Sequence, residues 1–348
     1  MEHTKRMRDV RSLTLDDIKS VLADLNQPAF RAKQIYEWIF SKNVCSFDEM
    51  TNVPKTLRDE LSQRFAFGVP KEIVKQVSRD GSRKYLLEFP DGTSVETVGM
   101  PSRNKLSVCV STQAGCAMGC VFCATGFNGL ARSLNAQEIV DQVHHVARDF
   151  GERVTSVVFM GQGEPFANFE NTVAALRMLN DPKGVNIGAR HLTVSTCGVI
   201  PGIKRFAELS EQFTLAISLH SAIQSTRNKL MPGVKKYTLQ RLHETLQSYV
   251  EKTGRRPSYE FAMIDGINDT TPEMDALIDF CAGTLCHVNL IQLNDTPGSL
   301  LKPSPIHKIE TLQRRLTMHG VETTIRNSRG NDIDAACGQL KQKRVYLS

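Results

Sequence analysis

Apolar positions recur along this chain in two rhythms, and the change between them divides it. Leu15–Leu25 and Phe30–Phe40 carry apolar stripes of helical period; Ile35, Trp38 and Ile39 share a face, with Arg31 and Lys33 outside it. Asp16 and Asp17 fall in the first turn of the first segment, and Pro28 punctuates the join. A third helix is predicted near Pro54–Phe65. The period then shortens to two in Val74–Val77, Arg83–Phe89 and Ser94–Met100, with Asp80-Gly81 and Asp91-Gly92 as hairpin turns. From Leu106–Ser111 onward the rhythms alternate. Predicted helices are Ala136–Phe150, Phe169–Leu179, Pro201–Leu209, Leu239–Lys252, Pro272–Ala282 and Pro305–His319. Predicted strands are Val154–Met160, His191–Ser195, Phe213–Leu219, Ser258–Met263, His287–Leu293 and Glu322–Ile325. Repeated strand–helix units imply parallel strands, and six of them fit an α/β fold with a partial, open (β/α)6 TIM-like barrel better than a closed eight-fold one. The predicted division is residues 1–68 as a helical subdomain, 69–105 as a β-meander, 106–328 as the barrel and 329–348 as a C-terminal loop with a basic tail.

Composition narrows the class. With 348 residues, 41% hydrophobic and 23% charged, the chain can bury a sizeable core. No apolar run approaches the ~20 residues that span a bilayer, and the first residues lack an apolar signal segment. A cytosolic protein without membrane contact is expected. Nine cysteines then read as metal-binding, catalytic or buried, not as a disulfide framework. The net charge of +6 is compatible with a polyanionic partner and does not identify one.

Chemistry concentrates in residues 107–126, where Cys116, Cys120 and Cys123 form C-x3-C-x2-C. All-sulfur ligation favours zinc or an iron–sulfur cluster. A structural zinc site is normally closed by four ligands, and a cubane held by four cysteines has no free iron. Three local thiols leave one iron open. A zinc site with a distant fourth ligand and a fortuitous run of buried cysteines are the alternatives. Gly115 and Gly119 suit a tight loop around such a centre. Polar groups then recur after successive strands: Gly161, Gly163 and Glu164 in Met160–Pro165, then Val194–Gly198, Ile217–Ser221 and Leu290–Asn294. Each alone reads as a polar turn; together they fall on the rim where barrel active sites form. Near the end, Cys337 stands among small residues in Arg329–Leu340, able to reach over a barrel mouth or to pack as a buried thiol.

The cysteine spacing resembles the radical S-adenosylmethionine (SAM) superfamily. With Met160–Asn168, Val194–Gly198, Leu215–His220 and Arg329–Leu340, the chain resembles the RlmN/Cfr family of radical SAM RNA adenine methyltransferases from roughly residue 10 to 342. The resemblance implies a 4Fe–4S cluster on Cys116, Cys120 and Cys123, and two SAM molecules per turnover. It implies that Cys337 carries a methyl group, that Cys109 resolves the RNA–Cys337 adduct through a transient disulfide, and that Glu96 is the base. SAM contacts would be Gly163, Glu164, Ser195, Ser218, Leu219, His220 and Asn294. The substrate implied is C2 of an adenosine in the peptidyl-transferase centre of 23S rRNA, with a tRNA anticodon-loop adenosine as a second target and C8 methylation as the alternative. An external electron donor such as flavodoxin or ferredoxin, and a monomeric enzyme, are also implied. The helical subdomain, the N-terminal basic residues and Lys341, Lys343 and Arg344 would grip phosphates. Gln162 and Val234 depart from the family pattern, where Met and Asn are usual. Cys45, Cys197, Cys281 and Cys286 read as packing residues. A metal-bound RNA-binding protein without catalysis, and a radical SAM enzyme acting on protein or small molecules, are the rival classes.

Overall fold

The computed structural model describes residues 7–340 except 43, 295–298 and 327, and not the side chain of Asn128. The basic residues 1–6 and Lys341, Lys343 and Arg344 lie outside the described residues.

A short strand, β1 (Arg8–Asp9), precedes three helices, α1 (Leu15–Asp24), α2 (Phe30–Phe40) and α3 (Lys55–Arg64), and pairs in parallel with β2 (Phe65–Ala66). Thr14 and Asp17 start α1 with a reciprocal capping box, each side chain accepting the other's backbone N–H. Ile18, Leu22, Ile35, Ile39, Leu57 and Leu61 close an apolar core of their own. Trp38, placed with Ile35 and Ile39 by spacing, stands at its margin: its Nε1 donates to Asn52, and Lys42 lies 3.8 Å over the ring.

The rest of the chain builds one ten-stranded sheet. Strands β3 (Lys71–Val77), β4 (Arg83–Glu88) and β5 (Ser94–Ser102) are antiparallel and continue directly into β6 (Lys105–Cys109). After a small hairpin, β7 (Gln113–Gly115) with β8 (Leu130–Ser133), come α4 (Ala136–Phe150), β9 (Ser156–Phe159), α5 (Phe169–Asn180), β10 (Leu192–Thr196), α6 (Ile200–Phe206), β11 (Thr214–Ser218), α7 (Gln224–Leu230) and α8 (Leu239–Thr253). Next follow β12 (Ser258–Met263), α9 (Thr271–Cys281), β13 (His287–Gln292), α10 (Ile306–Met318) and β14 (Glu322–Arg326). The order is β14-β13-β12-β11-β10-β9-β6-β5-β4-β3. Strands β6 and β9 to β14 are parallel, and the two edges do not pair, so the barrel is open as expected. The meander is part of this same sheet. No described helix is long and apolar enough to cross a membrane.

Register explains the two faces. Val108, Val157 and Leu192 lie side by side, as do Ile217, Tyr259 and Val288, and all are buried under the helices. The alternate positions are small or polar: Ser195 beside Ala216, then Ser218, Glu260, Asn289 and Thr324 in one row. A side-chain period of two sends the large apolar set one way and the polar set into the barrel lumen.

Candidate active site

The cysteine loop is clamped at its base by the β7–β8 hairpin, which local periodicity did not reveal. Cys116 N–H donates to Gly129 O at 2.9 Å. A Cβ on Gly115 would lie 2.1 Å from that same oxygen, and its φ of +79° is left-handed, so the position requires glycine. Two backbone bonds brace the loop from α7 and beyond: Val121 N–H to Leu230 O at 3.0 Å, and Gly233 N–H to Met118 O at 2.9 Å.

Cys116, Cys120 and Cys123, all free thiols, line one cavity of about 160 Å³. Burial raises the Cys116 thiol to about 11 and Cys120 further, each also opposed by the charge of its neighbours in the loop. Among the described residues no three His, Cys, Asp or Glu groups are placed to hold a single metal ion.

Facing them are Gly163, Glu164, Ser195, Ser218, His220 and Asn294. Glu164 is buried; its carboxylate accepts from Phe166 N–H at 2.9 Å and Cys197 N–H at 2.8 Å. Burial raises its pKa against those bonds. The Ser195 and Ser218 hydroxyls are 3.4 Å apart. His220 Nδ1 accepts from Ala262 N–H at 3.0 Å, and burial lowers its pKa to about 3, which leaves a neutral ring with its proton on Nε2. Gly163 has φ +102°, and a Cβ there would strike Gln113 at 2.6 Å; its lack of a side chain serves packing as well as the cavity. The Leu219 side chain is fully buried in the helix-facing core, turned away from Ser218 by strand alternation.

Cys337 lies on the wall of this same cavity, exposed to it yet ringed by protein. Asn294 Nδ2 donates to Cys337 O at 3.1 Å, Ala124 N–H to Gly338 O at 2.7 Å, and the Thr125 hydroxyl to Leu340 O at 2.8 Å. The C-terminal segment is therefore docked on the cysteine loop. Farther back it is held by the β3–β4 turn: Asp332 accepts from the Ser78 hydroxyl at 2.6 Å, and Asp80 accepts Gly330 N–H at 3.1 Å. Cys109, at the end of β6, is half-buried. Burial and the nearby Cys337 raise its thiol to about 12, while Met160 N–H bonds the sulfur. Glu96, on β5, does not line the cavity; it pairs with Lys84 at 3.4 Å, and Lys84 donates to Asp334 O at 3.1 Å. Gln162 and Val234 are buried and also lie off the cavity. Cys281 and Cys286 are buried away from it, Cys45 is half-buried, and Cys197 is buried with part of its surface on the cavity.

The proteins named probable dual-specificity RNA methyltransferase RlmN include that of Geobacillus kaustophilus, 47% identical over 96% of this chain and 92% of its own, and that of Bacillus subtilis, 47% identical over 96% and 93%. This chain belongs to the RlmN family. Residues 9–66, the three-helix unit, match the ribosomal RNA large subunit methyltransferase N-terminal domain, and residues 110–281 match the radical SAM superfamily. A crystal structure of a radical SAM methyltransferase from Sphaerobacter thermophilus superposes with a TM-score of 0.91 at 41% identity, covering 96% of this chain and 99% of that one.

Membership in the RlmN family implies a 4Fe–4S cluster and SAM, and the residues fit both. Three free thiols, a carboxylate, two hydroxyls, an imidazole and a carboxamide line the one cavity. Two lining residues carry no motif and escape sequence reasoning. Arg326 donates to Glu260 at 3.2 Å, and its charge faces both Cys109 and Cys337. Their register on β12 and β14, the strands on either side of β13, is invisible locally and brings them there.

Proposed function

We propose that this RlmN-family enzyme methylates C2 of an adenosine in the peptidyl-transferase centre of 23S rRNA, and an adenosine of a tRNA anticodon loop, consuming two SAM molecules per turnover. The observation that carries the reading is the placement of Cys337 on the cavity that Cys116, Cys120 and Cys123 line. The name of its relatives, dual-specificity RNA methyltransferase, supports two RNA targets. Adenine C2 lies between two ring nitrogens and is electrophilic, with no proton easily removed, so it does not attack a methyl donor and a radical route is needed. When bound, the cluster and SAM would supply a 5′-deoxyadenosyl radical. Cys116, Cys120 and Cys123 would hold the cluster, with Glu164, Ser195, Ser218, His220 and Asn294 around SAM.

Cys337 carries the one-carbon unit to the adenine and stays joined to it by a carbon–sulfur bond, a covalent-catalysis step. Glu96 accepts the proton from the adenine ring carbon; its link through Lys84 to Asp334 sets it against the segment bearing Cys337. Cys109 then attacks the Cys337 sulfur. A sulfur–sulfur bond forms, the carbon–sulfur bond breaks with its electron pair left on carbon, and the proton that Glu96 took returns to that carbon, so the base leaves methylated. The base must be drawn out of its stack to reach this cavity, with the N-terminal helices gripping phosphates, so binding weakens as salt rises. A flavodoxin- or ferredoxin-type donor supplies electrons to a monomeric, cytosolic enzyme. Nucleoside mass spectrometry of rRNA and tRNA from a deletion strain tests this. Loss of 2-methyladenosine, restored by the gene, is expected; loss of 8-methyladenosine instead, or no change, would overturn it.

A further inference from the structure

Arg227, on α7, is 1% exposed, and no carboxylate pairs with it among the described residues. Its Nη2 donates to Cys197 O at 2.6 Å, and its buried Nε has no partner. Its ionisable neighbours are the thiols of Cys197 and Cys120. The fold makes room for this cation: Gly198 has φ +95°, and a Cβ there would sit 3.0 Å from Arg227 Nη2. A guanidinium does not shed its proton, and a buried charge without a partner costs several kcal/mol. An anion beside Cys120 would offset that cost. A 4Fe–4S core held by three thiolates carries one net negative charge, and a second after reduction.

We infer that Arg227 is the counter-charge of the cluster and raises its reduction potential, favouring the reduced state that the chemistry needs. Net charge and local electrostatics set such potentials. The inference rests on the cluster assignment above and goes beyond it, since it concerns a residue outside the ligand loop.

The test is a potentiometric titration, followed by electron paramagnetic resonance, of the full chain loaded anaerobically with iron and sulfide. Arg227→Gln should lower the reduced-to-oxidised ratio at fixed potential at least about tenfold, a shift of 59 mV for one electron, and Arg227→Lys should restore most of it. In the cluster-free chain, Arg227→Gln should melt no lower than the parent, because the cation there has nothing to neutralise it. An unchanged midpoint at full iron content overturns the inference, as does a lower melting temperature of the cluster-free variant that marks a mere anchor for Cys197. If Arg227→Gln takes up no cluster, the neutral variant Arg227→Met decides by the same midpoint. Failure of the parent itself to bind iron and sulfide overturns the cluster assignment instead.

Discussion

A sulfur can carry carbon to a substrate only while it faces the chamber, and Cys337 does so while its flanking backbone is pinned on both sides. Cys337→Ala should abolish methylation and leave iron content unchanged, as checked by methyl transfer to RNA and iron analysis; persisting transfer would remove this thiol from the reaction. Cys109→Ala should accumulate an RNA–protein adduct visible on denaturing gels, and normal turnover in that variant would refute its resolving role. The three loop cysteines are legible in sequence because their spacing is itself the chemistry. Glu260, Arg326 and Arg227 are not, since each is one charged residue whose meaning comes from strand register or burial. Leu219 neighbours Ser218 and His220 in the chain, and only alternation shows that its side chain is buried in the core.

Elements with a long apolar rhythm are readable to the residue, as Ala136–Phe150 and Ser258–Met263 show. Helix α7 has seven mostly polar residues, and β7 only three, too few to display a period. The turn at Asp80-Gly81 is evident in sequence, but its partner some 250 residues away is not. That contact sets a pH signature. Burial would raise Asp80, yet hydrogen bonds from Ser82, Ser78 and Gly330 bring it down to about 2, and Asp332 is likewise lowered by Ser78 and Arg79. A carboxylate held below its unfolded value of ~3.9 stabilises fully above that pH and loses its effect as pH falls through the folded value. The melting-temperature difference between the cluster-free parent and Asp80→Asn should hold steady above about pH 4 and shrink as pH falls toward 2. A difference that grows on acidification would contradict this.

At the scale of the whole molecule, the three-helix unit is joined to the barrel by a buried ion pair of Arg11 with Asp141 on α4, and Arg11 also bonds Asp9. Arg11→Met strands the Asp141 carboxylate and should cost about 3–5 kcal/mol, whereas the double variant Arg11→Met/Asp141→Leu should recover most of that. Chemical denaturation measures both; equal losses would mean that the pair contributes nothing special. The open barrel has a further consequence. Its edges, β14 and β3, share no ladder, and the stretch after β14 crosses that seam fastened by Ser78, Asp80, Lys84 and Pro101. A ladder of backbone bonds would have sealed the wall for good. Stitching of this kind, worth about 1 kcal/mol per thread, closes the side of the vessel at a far smaller cost to undo than a ladder between the two edge strands.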